Sequence, residues 1–169
     1  MTLTDSILVV VPARGGSKRI NKKNIKPIAG QPMIYWPLME LSKFFQAASV
    51  IVSTDDSEIA SHVESKGLKI PFMRPDELSG DFVGTFEVIS HALDWYEKNV
   101  SKVNYVVTVY PTAVLLSMKD IINAVDTLKA DLNCDSVMSA TNYPSPIQRA
   151  VYINKDGFAK MFQFFKRNR

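Results

Sequence analysis

A cluster of cations beside a glycine pair is the stretch of this sequence best suited to chemistry. Gly15 and Gly16 lack side chains, so backbone N–H groups can come close to a ligand there, and Ser17 adds a hydroxyl donor. Six basic residues lie within the thirteen positions from 14 to 26, with no acid among them: Arg14, Lys18, Arg19, Lys22, Lys23 and Lys26. A loop of this composition is suited to binding a polyphosphate.

Other kinds of site find less support. The glycine spacing matches neither a Walker A loop nor the G-x-G-x-x-G fingerprint of dinucleotide-binding proteins. With two histidines and one cysteine, the chain offers no set of zinc ligands, and it has no nucleophile elbow for Ser/His/Asp catalysis. Asp55 and Asp56 could hold a divalent ion, but a helix cap is the commoner role for such residues at the end of a strand.

The distribution of charge narrows the class of partner. The 169-residue chain carries a formal charge of +3, and six of its 20 basic residues lie in the loop, which leaves 14 against 17 acidic residues elsewhere. This local charge favours an anionic small molecule over a nucleic acid. The single cysteine fits a reducing compartment. No membrane span or signal peptide is visible, so we expect a cytoplasmic protein without a membrane or nucleic-acid partner.

The elements that position the loop are predicted from local patterns. Residues 7–11 are five consecutive apolar residues, which predicts a strand buried on both faces, ended by Pro12. Asp56 or Ser57 should cap a helix that Gly67 ends in a left-handed conformation. Further strands are predicted at 49–54, 68–73, 105–109, which we expect to be central, and 136–141, and helices at 32–46, 57–66, 82–98 and 117–130.

The alternation of strands and helices predicts an α/β fold in three layers, with a mostly parallel sheet covered by helices on both faces. Ligands of such sheets bind at the carboxyl ends of the strands. The loops that start at Pro12, Thr54, Arg74 and Tyr110 should therefore open into one crevice. At this length and with 46% apolar residues we expect a single domain over residues 1–163, followed by a divergent tail at 164–169.

Several short motifs together carry a family resemblance. They are Pro-Ala-Arg-Gly-Gly-Ser-Lys at 12–18, Lys23-Asn24, Gly-Gln-Pro-Met-Ile at 30–34, Ile-Val-Ser-Thr-Asp at 51–55, Arg-Pro-Asp-Glu-Leu at 74–78 and Pro111-Thr112. In these motifs, and from residue 7 to about 162, the chain resembles the acylneuraminate cytidylyltransferases, which activate sialic-type sugars.

The resemblance implies a fold, a reaction and a biological setting. The fold is a Rossmann-like nucleotidyltransferase sheet of the glycosyltransferase-A type. The reaction joins CTP to a nine-carbon 2-keto-3-deoxy sugar acid, giving a CMP-sugar and pyrophosphate, with Mg²⁺ as cofactor and a homodimer as the assembly. The setting is glycosylation of cell-surface polysaccharide or flagellin.

The resemblance also implies roles for individual residues. Arg14 and Lys23 would hold the triphosphate as catalytic cations, and Ser17 with the backbone of Gly15 and Gly16 would cradle it. The other cations of the loop, Lys18, Arg19, Lys22 and Lys26, are left with a solvated or structural role. Asn24, Arg74 and Thr85 would contact the cytidine, Ala13 would offer backbone to the base, and Tyr110, Thr112, Gln148 and Arg149 would face the sugar and its carboxylate.

The sugar and the completeness of the site stay open at this point. Tyr110-Pro111-Thr112-Ala113 and residues 143–150 are most similar to the pseudaminic acid branch, with N-acetylneuraminate and legionaminate as alternatives. The likeness stops after residue 163, which predicts a C-terminally truncated chain without the family's Mg²⁺-binding carboxylates. Two alternatives therefore remain: a nucleotide-binding chain of impaired activity and, on the basic loop alone, a nucleic-acid-binding protein.

Overall fold

The computed structural model describes residues 6–142 and 150–161. They divide into two compact units, Met1–Asp135 and Ser136–Arg169. The single domain expected through residue 163 stays a prediction; residues 136–142 form neither a helix nor a strand and are exposed. Gln148, Arg149 and the tail at 164–169 lie outside the described residues.

The first unit contains the α/β elements. Its strands are β1 (Ile7–Pro12), β2 (Pro27–Ile28), β3 (Gln31–Pro32), β4 (Val50–Ser53) and β5 (Tyr105–Thr108). Its helices are α1 (Tyr35–Ser42), α2 (Ser57–Glu64), α3 (Thr85–Asn99) and α4 (Met118–Ala130). Short 3₁₀ turns lie at Lys23–Ile25, Ala47–Ser49 and Asp76–Leu78.

The central sheet has the parallel order β4-β1-β5. Alternate side chains of β1 point to opposite faces: Val9 packs with α1, α2 and α4, and Val10 packs with α3. The prediction of a strand buried on both faces and flanked by helices is confirmed. The prediction that 105–109 is central is wrong, because β1 is central and β5 lies at the edge of the described sheet, half-buried.

Local capping signals placed two helices correctly. Asp56 Oδ1 accepts hydrogen bonds from the N–H groups of Glu58 and Ile59 at 2.8 and 3.1 Å, and Ser117 Oγ accepts one from the Lys119 N–H at 3.2 Å. The first helix is shorter than predicted. It begins at Tyr35, and Pro32 belongs to the β2–β3 hairpin over residues 27–32, in which Ala29 and Gly30 take the positive φ of the turn, 49° and 79°.

Two predicted strands are wrong. Residues 68–73 make only an isolated parallel bridge between Met73 and Thr54, because Pro71 has no N–H to donate to a ladder. Residues 136–141 form no strand. Their two large apolar side chains, Val137 and Met138, are 37% and 82% exposed, so no buried face is available to stabilise pairing.

The described part of the second unit is a hairpin. Strands β6 (Val151–Ile153) and β7 (Ala159–Met161) pair antiparallel, and Gly157 takes a φ of +84° in the turn between them. Among the described residues of both units, no helix is long and apolar enough to cross a membrane.

Candidate functional site

A cleft of about 670 Å³ lies in the first unit, beyond the carboxyl ends of β1 and β5. Its walls come from the loop after β1, the segment between Arg74 and Val88, and the loop after β5. Three of the four loops that we expected to open into one crevice therefore line this cleft. The fourth, which follows Thr54, does not line it but contacts the loop after β1 through Asp55. The cleft brings together eight of the predicted site residues: Arg14, Ser17, Lys23, Asn24, Arg74, Thr85, Tyr110 and Thr112.

The backbone N–H groups of the two glycines differ in their hydrogen bonds. The Gly15 N–H donates to Asp55 Oδ1 at 2.9 Å, and the Ser17 N–H donates to the Gly15 carbonyl at 2.9 Å. The Gly16 N–H makes no hydrogen bond to any residue that the structure describes. The backbone cradle predicted for Gly15 and Gly16 is thus reduced to Gly16, with the Ser17 hydroxyl beside it.

A close approach explains the glycine at position 15. A Cβ built there would stand 2.8 Å from the Cβ of Asp56, whereas one at Gly16 would meet nothing within 4 Å. Neither residue has a positive φ among those recorded. Gly15 is therefore required by packing against the cap of α2, and Gly16 leaves open space in front of the loop.

Buried residues fix the backbone on which the cations stand. Asn24, 6% exposed, donates from Nδ2 to the Arg14 carbonyl at 2.8 Å. Its own carbonyl accepts the Ile34 N–H at 2.8 Å. Ala13 is fully buried, donates its N–H to the Ser53 carbonyl at 2.9 Å and is not among the residues that line the cleft, so the predicted contact of its backbone with a base stays a prediction.

Arg74 forms the inner wall of the cleft and is only 6% exposed. Its Nε donates to Ser53 Oγ at 3.0 Å, its Nη2 donates to the Ser53 carbonyl, and its N–H donates to the Thr54 carbonyl at 2.7 Å. Burial lowers the pKa of the guanidinium from its ordinary value, and the nearby Asp55 carboxylate opposes that shift. Arg74 is thus a positioned cation at the end of β4.

Arg14 and Lys18 lie at the mouth of the cleft and share one acid. Arg14 Nη1 is 3.0 Å from Asp81 Oδ1, and Lys18 Nζ pairs with Asp81 Oδ2. The hydrogen bond from Lys18, helped by the charge of Arg14, holds the pKa of Asp81 below its ordinary value. Sequence reasoning missed Asp81, because 67 residues separate it from Arg14 and no local pattern joins them.

The remaining cations of the loop differ from one another. Lys18 and Arg19 both line the cleft, although the sequence had left them a solvated or structural role. Lys22 turns away from the cleft. It pairs with Glu58 on α2, and the hydrogen bond to Glu58 raises the pKa of Lys22.

The opposite wall carries hydroxyl groups. Thr85 is the first residue of α3, and its Oγ1 lies 3.0 Å from the Tyr110 hydroxyl. A residue predicted to contact the nucleotide therefore touches one predicted to face the sugar. Thr112 lies on the same loop as Tyr110 and also lines the cleft.

The chemistry of the cleft follows from this lining. Within the described part of the chain, five basic side chains and a single acid line it, together with hydroxyl groups and a few apolar residues. Such a surface is suited to a polyanion joined to a hydroxyl-bearing group. Among the described residues, no group of three or more His, Cys, Asp or Glu side chains could hold a metal ion.

Comparison with known sequences places this geometry in a family. A family model described as cytidylyltransferase matches residues 8–152. The pseudaminic acid cytidylyltransferase of Campylobacter jejuni subsp. jejuni serotype O:2 is 34% identical over 155 residues, which cover 92% of this chain and 66% of that protein. The N-acylneuraminate cytidylyltransferase of Escherichia coli O18:K1:H7 is 31% identical over 145 residues, 85% of this chain and 33% of that protein. The chain thus spans somewhat less than two thirds of its Campylobacter relative.

Solved structures agree on the fold. A CMP:2-keto-3-deoxy-manno-octonic acid synthetase, solved in complex with CTP, matches 75% of this chain and 48% of its own with a TM-score of 0.57 at 22% identity. A 4-diphosphocytidyl-2C-methyl-D-erythritol synthase from Anaerococcus prevotii matches 94% of this chain and 64% of its own with a TM-score of 0.55 at 16% identity. The matched family model and the Campylobacter relative together show that this chain belongs to the cytidylyltransferase family.

Proposed function

We propose that the cleft binds CTP and that the protein transfers the cytidylyl group to a nonulosonic acid of the sialic type, with pseudaminic acid as the favoured acceptor. One observation carries the proposal: five cations, four from the loop after β1 and the fifth Arg74, line a single cleft at the strand ends together with the hydroxyl-bearing Thr85, Tyr110 and Thr112. The relatives named as pseudaminic acid cytidylyltransferases support the choice of acceptor.

The residues have distinct roles in this proposal. The 2-hydroxyl of the sugar attacks the α-phosphorus of CTP and gives its proton to solvent. The bond between the α-phosphorus and the α,β-bridging oxygen breaks, and pyrophosphate leaves with added negative charge. Arg14 and Lys23 neutralise that charge, while the Gly16 N–H and the Ser17 hydroxyl bind phosphate oxygens. Arg74 and Thr85 hold the cytidine half, so that the reacting atoms are aligned before the attack.

The acceptor would lie against Tyr110 and Thr112 at the hydroxyl wall. Gln148 and Arg149, proposed for the sugar carboxylate, lie outside the described residues. Mg²⁺ stays in the proposal as an ion that neutralises the triphosphate. The described residues form no carboxylate cluster to hold it, so no step is assigned to it here. The homodimer and the cytoplasmic location also remain proposals.

A substrate panel tests the proposal. The protein is given CTP, Mg²⁺ and, in separate reactions, pseudaminic, N-acetylneuraminic or legionaminic acid, and the products are analysed by mass spectrometry. We expect a CMP conjugate and pyrophosphate, most with pseudaminic acid. A conjugate formed only with another acid would overturn the choice of acceptor. Binding of CTP with pyrophosphate at background would favour a nucleotide-binding chain without transfer.

A further inference from the structure

Asp81 is the one acid among the described residues that line the cleft. Its two carboxylate oxygens contact two different cations, Arg14 Nη1 at 3.0 Å and Lys18 Nζ. Both cations belong to the loop that binds phosphate in the proposed function, on which this inference rests. The carboxylate therefore lies where a phosphate group would bind the same two side chains.

The surroundings of Asp81 also favour overlap between its carboxylate and a bound phosphate group. Beside the cleft lies a second depression of about 340 Å³, lined by Gly16 and Asn21 on one side and by Ser79 on the other. Asp81, with Ser17, Lys18 and Gly80, lines both spaces. The ion pairs of Asp81 thus lie where the cleft and the depression adjoin, beside Ser17 and Lys18 of the loop.

The contacts of Asp81 can be exchanged at little cost. The side chains of Arg14, Lys18 and Asp81 are 38%, 78% and 34% exposed, and ion pairs in such surroundings contribute little to stability because solvent screens them. Residues 79–84 form no helix or strand, and the side chain of Phe82 is fully exposed. A segment with so few packing contacts can shift without disturbing the core.

We propose that Asp81 is an internal competitor of the triphosphate: its carboxylate occupies Arg14 and Lys18, and a phosphate group must displace it to bind them. A carboxylate and a phosphate on the same two cations repel each other, so both cannot be held at full strength. The competition weakens the binding of every ligand that carries a polyphosphate, and it favours release of the pyrophosphate product.

Calorimetric titration of three proteins with three ligands tests this competition. The proteins are the unchanged chain, Asp81→Asn and the control Glu77→Gln. The control removes one charge from an exposed residue of the adjoining 3₁₀ turn, Asp76–Leu78, that makes no ion pair within the described chain. The ligands are CTP, tripolyphosphate and cytidine. We expect Asp81→Asn to bind CTP and tripolyphosphate about three- to tenfold more tightly. Its affinity for cytidine should not change, and Glu77→Gln should match the unchanged chain for all three ligands.

Other results of the titrations would overturn either the competition or the proposed function. Equal or weaker binding of both phosphate ligands by Asp81→Asn would overturn the competition and leave Asp81 as a residue that only orients Arg14. Equal tightening by Glu77→Gln would also overturn it, since net charge alone would then explain the effect. Tighter tripolyphosphate binding without any CTP binding would keep the competition and reject the proposed function. Failure of tripolyphosphate to bind either protein would reject the competition.

Discussion

Arg74 and Arg14 line the same cleft, but the protein holds the two arginines in different ways. Arg74 is 6% exposed and donates to the Ser53 side chain and carbonyl at the end of β4. Arg14 has a side chain that is 38% exposed, and its partner is the carboxylate of Asp81. The inner cation is fixed by the sheet, whereas the outer one is held by a contact that a ligand can replace.

One cleft can therefore combine a side chain that is fixed before binding with one whose contact changes on binding. A guanidinium bonded to backbone has lost its rotamer freedom during folding, so binding does not have to order it again. A guanidinium in an exposed ion pair costs little to redirect. Substitutions at the inner wall should therefore lower both ligand affinity and the free energy of unfolding. Substitutions at the mouth should lower ligand affinity and leave the free energy of unfolding nearly unchanged. The predictions below test that contrast.

The largest effect is expected for Arg74→Ala. The change removes the buried donors to the Ser53 hydroxyl and carbonyl and the positive charge near Asp55, so the free energy of unfolding should fall by about 2–4 kcal/mol. Urea denaturation measures the loss, and CTP affinity should fall as well. Arg74→Lys serves as the control: it keeps the charge but cannot reproduce the planar set of donors, and should recover only part of the stability. An unchanged free energy of unfolding in Arg74→Ala would contradict the contrast between the inner wall and the mouth of the cleft.

Arg14→Ala should affect binding instead. Loss of a charge-assisted contact is worth about 1.5–3 kcal/mol, which corresponds to a CTP affinity lower by about ten- to a hundredfold. The urea midpoint should hardly change because the side chain is exposed. Lys22→Ala is the matched control, since Lys22 lies in the same loop but pairs with Glu58. An affinity changed by less than about threefold would remove Arg14 from the site.

The two glycines provide a finer version of the same test. Gly15→Ala places a Cβ 2.8 Å from the Cβ of Asp56, so we expect a loss of about 1–3 kcal/mol in the free energy of unfolding. Gly16→Ala enters open space and should stay within about 0.5 kcal/mol of the unchanged chain. If both variants lost the same stability, the packing of Gly15 against Asp56 would not be the reason for the glycine.

The smallest effect concerns pH and the ion pairs of Asp81. The pKa of this carboxyl is lowered from 3.8 in the folded protein, so the stability it adds is present above that value and is lost as the pH falls through the lower, folded pKa. The difference in urea midpoint between the unchanged chain and Asp81→Asn should therefore stay constant from about pH 8 to pH 5 and vanish in more acidic solution. A difference that varied around neutral pH would contradict the lowered pKa.

Sequence reasoning worked where the deciding signal is local. The apolar run of β1, the cap at Asp56 and the left-handed Gly67 each depend on neighbouring residues, and each was predicted correctly. The family motifs also named residues that meet in the cleft. Local reasoning was misled at 68–73, where a single proline prevents a ladder despite the apolar neighbours.

The parts that could not be predicted depend on contacts between distant residues. Asp81 meets Arg14 across 67 positions, and Asp55 meets Gly15 across 40. Nothing in the sequence indicates that Arg74 is buried while Arg14 is exposed, because that difference arises only when β4 and the following segments pack together. Such contacts require the fold itself.

Hydrogen exchange with and without CTP tests the central claim most directly. The claim is that one cleft binds CTP through the loop at residues 14–24 together with the segment at 74–85. We predict that CTP slows exchange in both segments, that tripolyphosphate slows it mainly in the first, and that neither ligand changes α4. Unchanged exchange in both segments at a CTP concentration that saturates binding would contradict the account, because the nucleotide would then bind elsewhere.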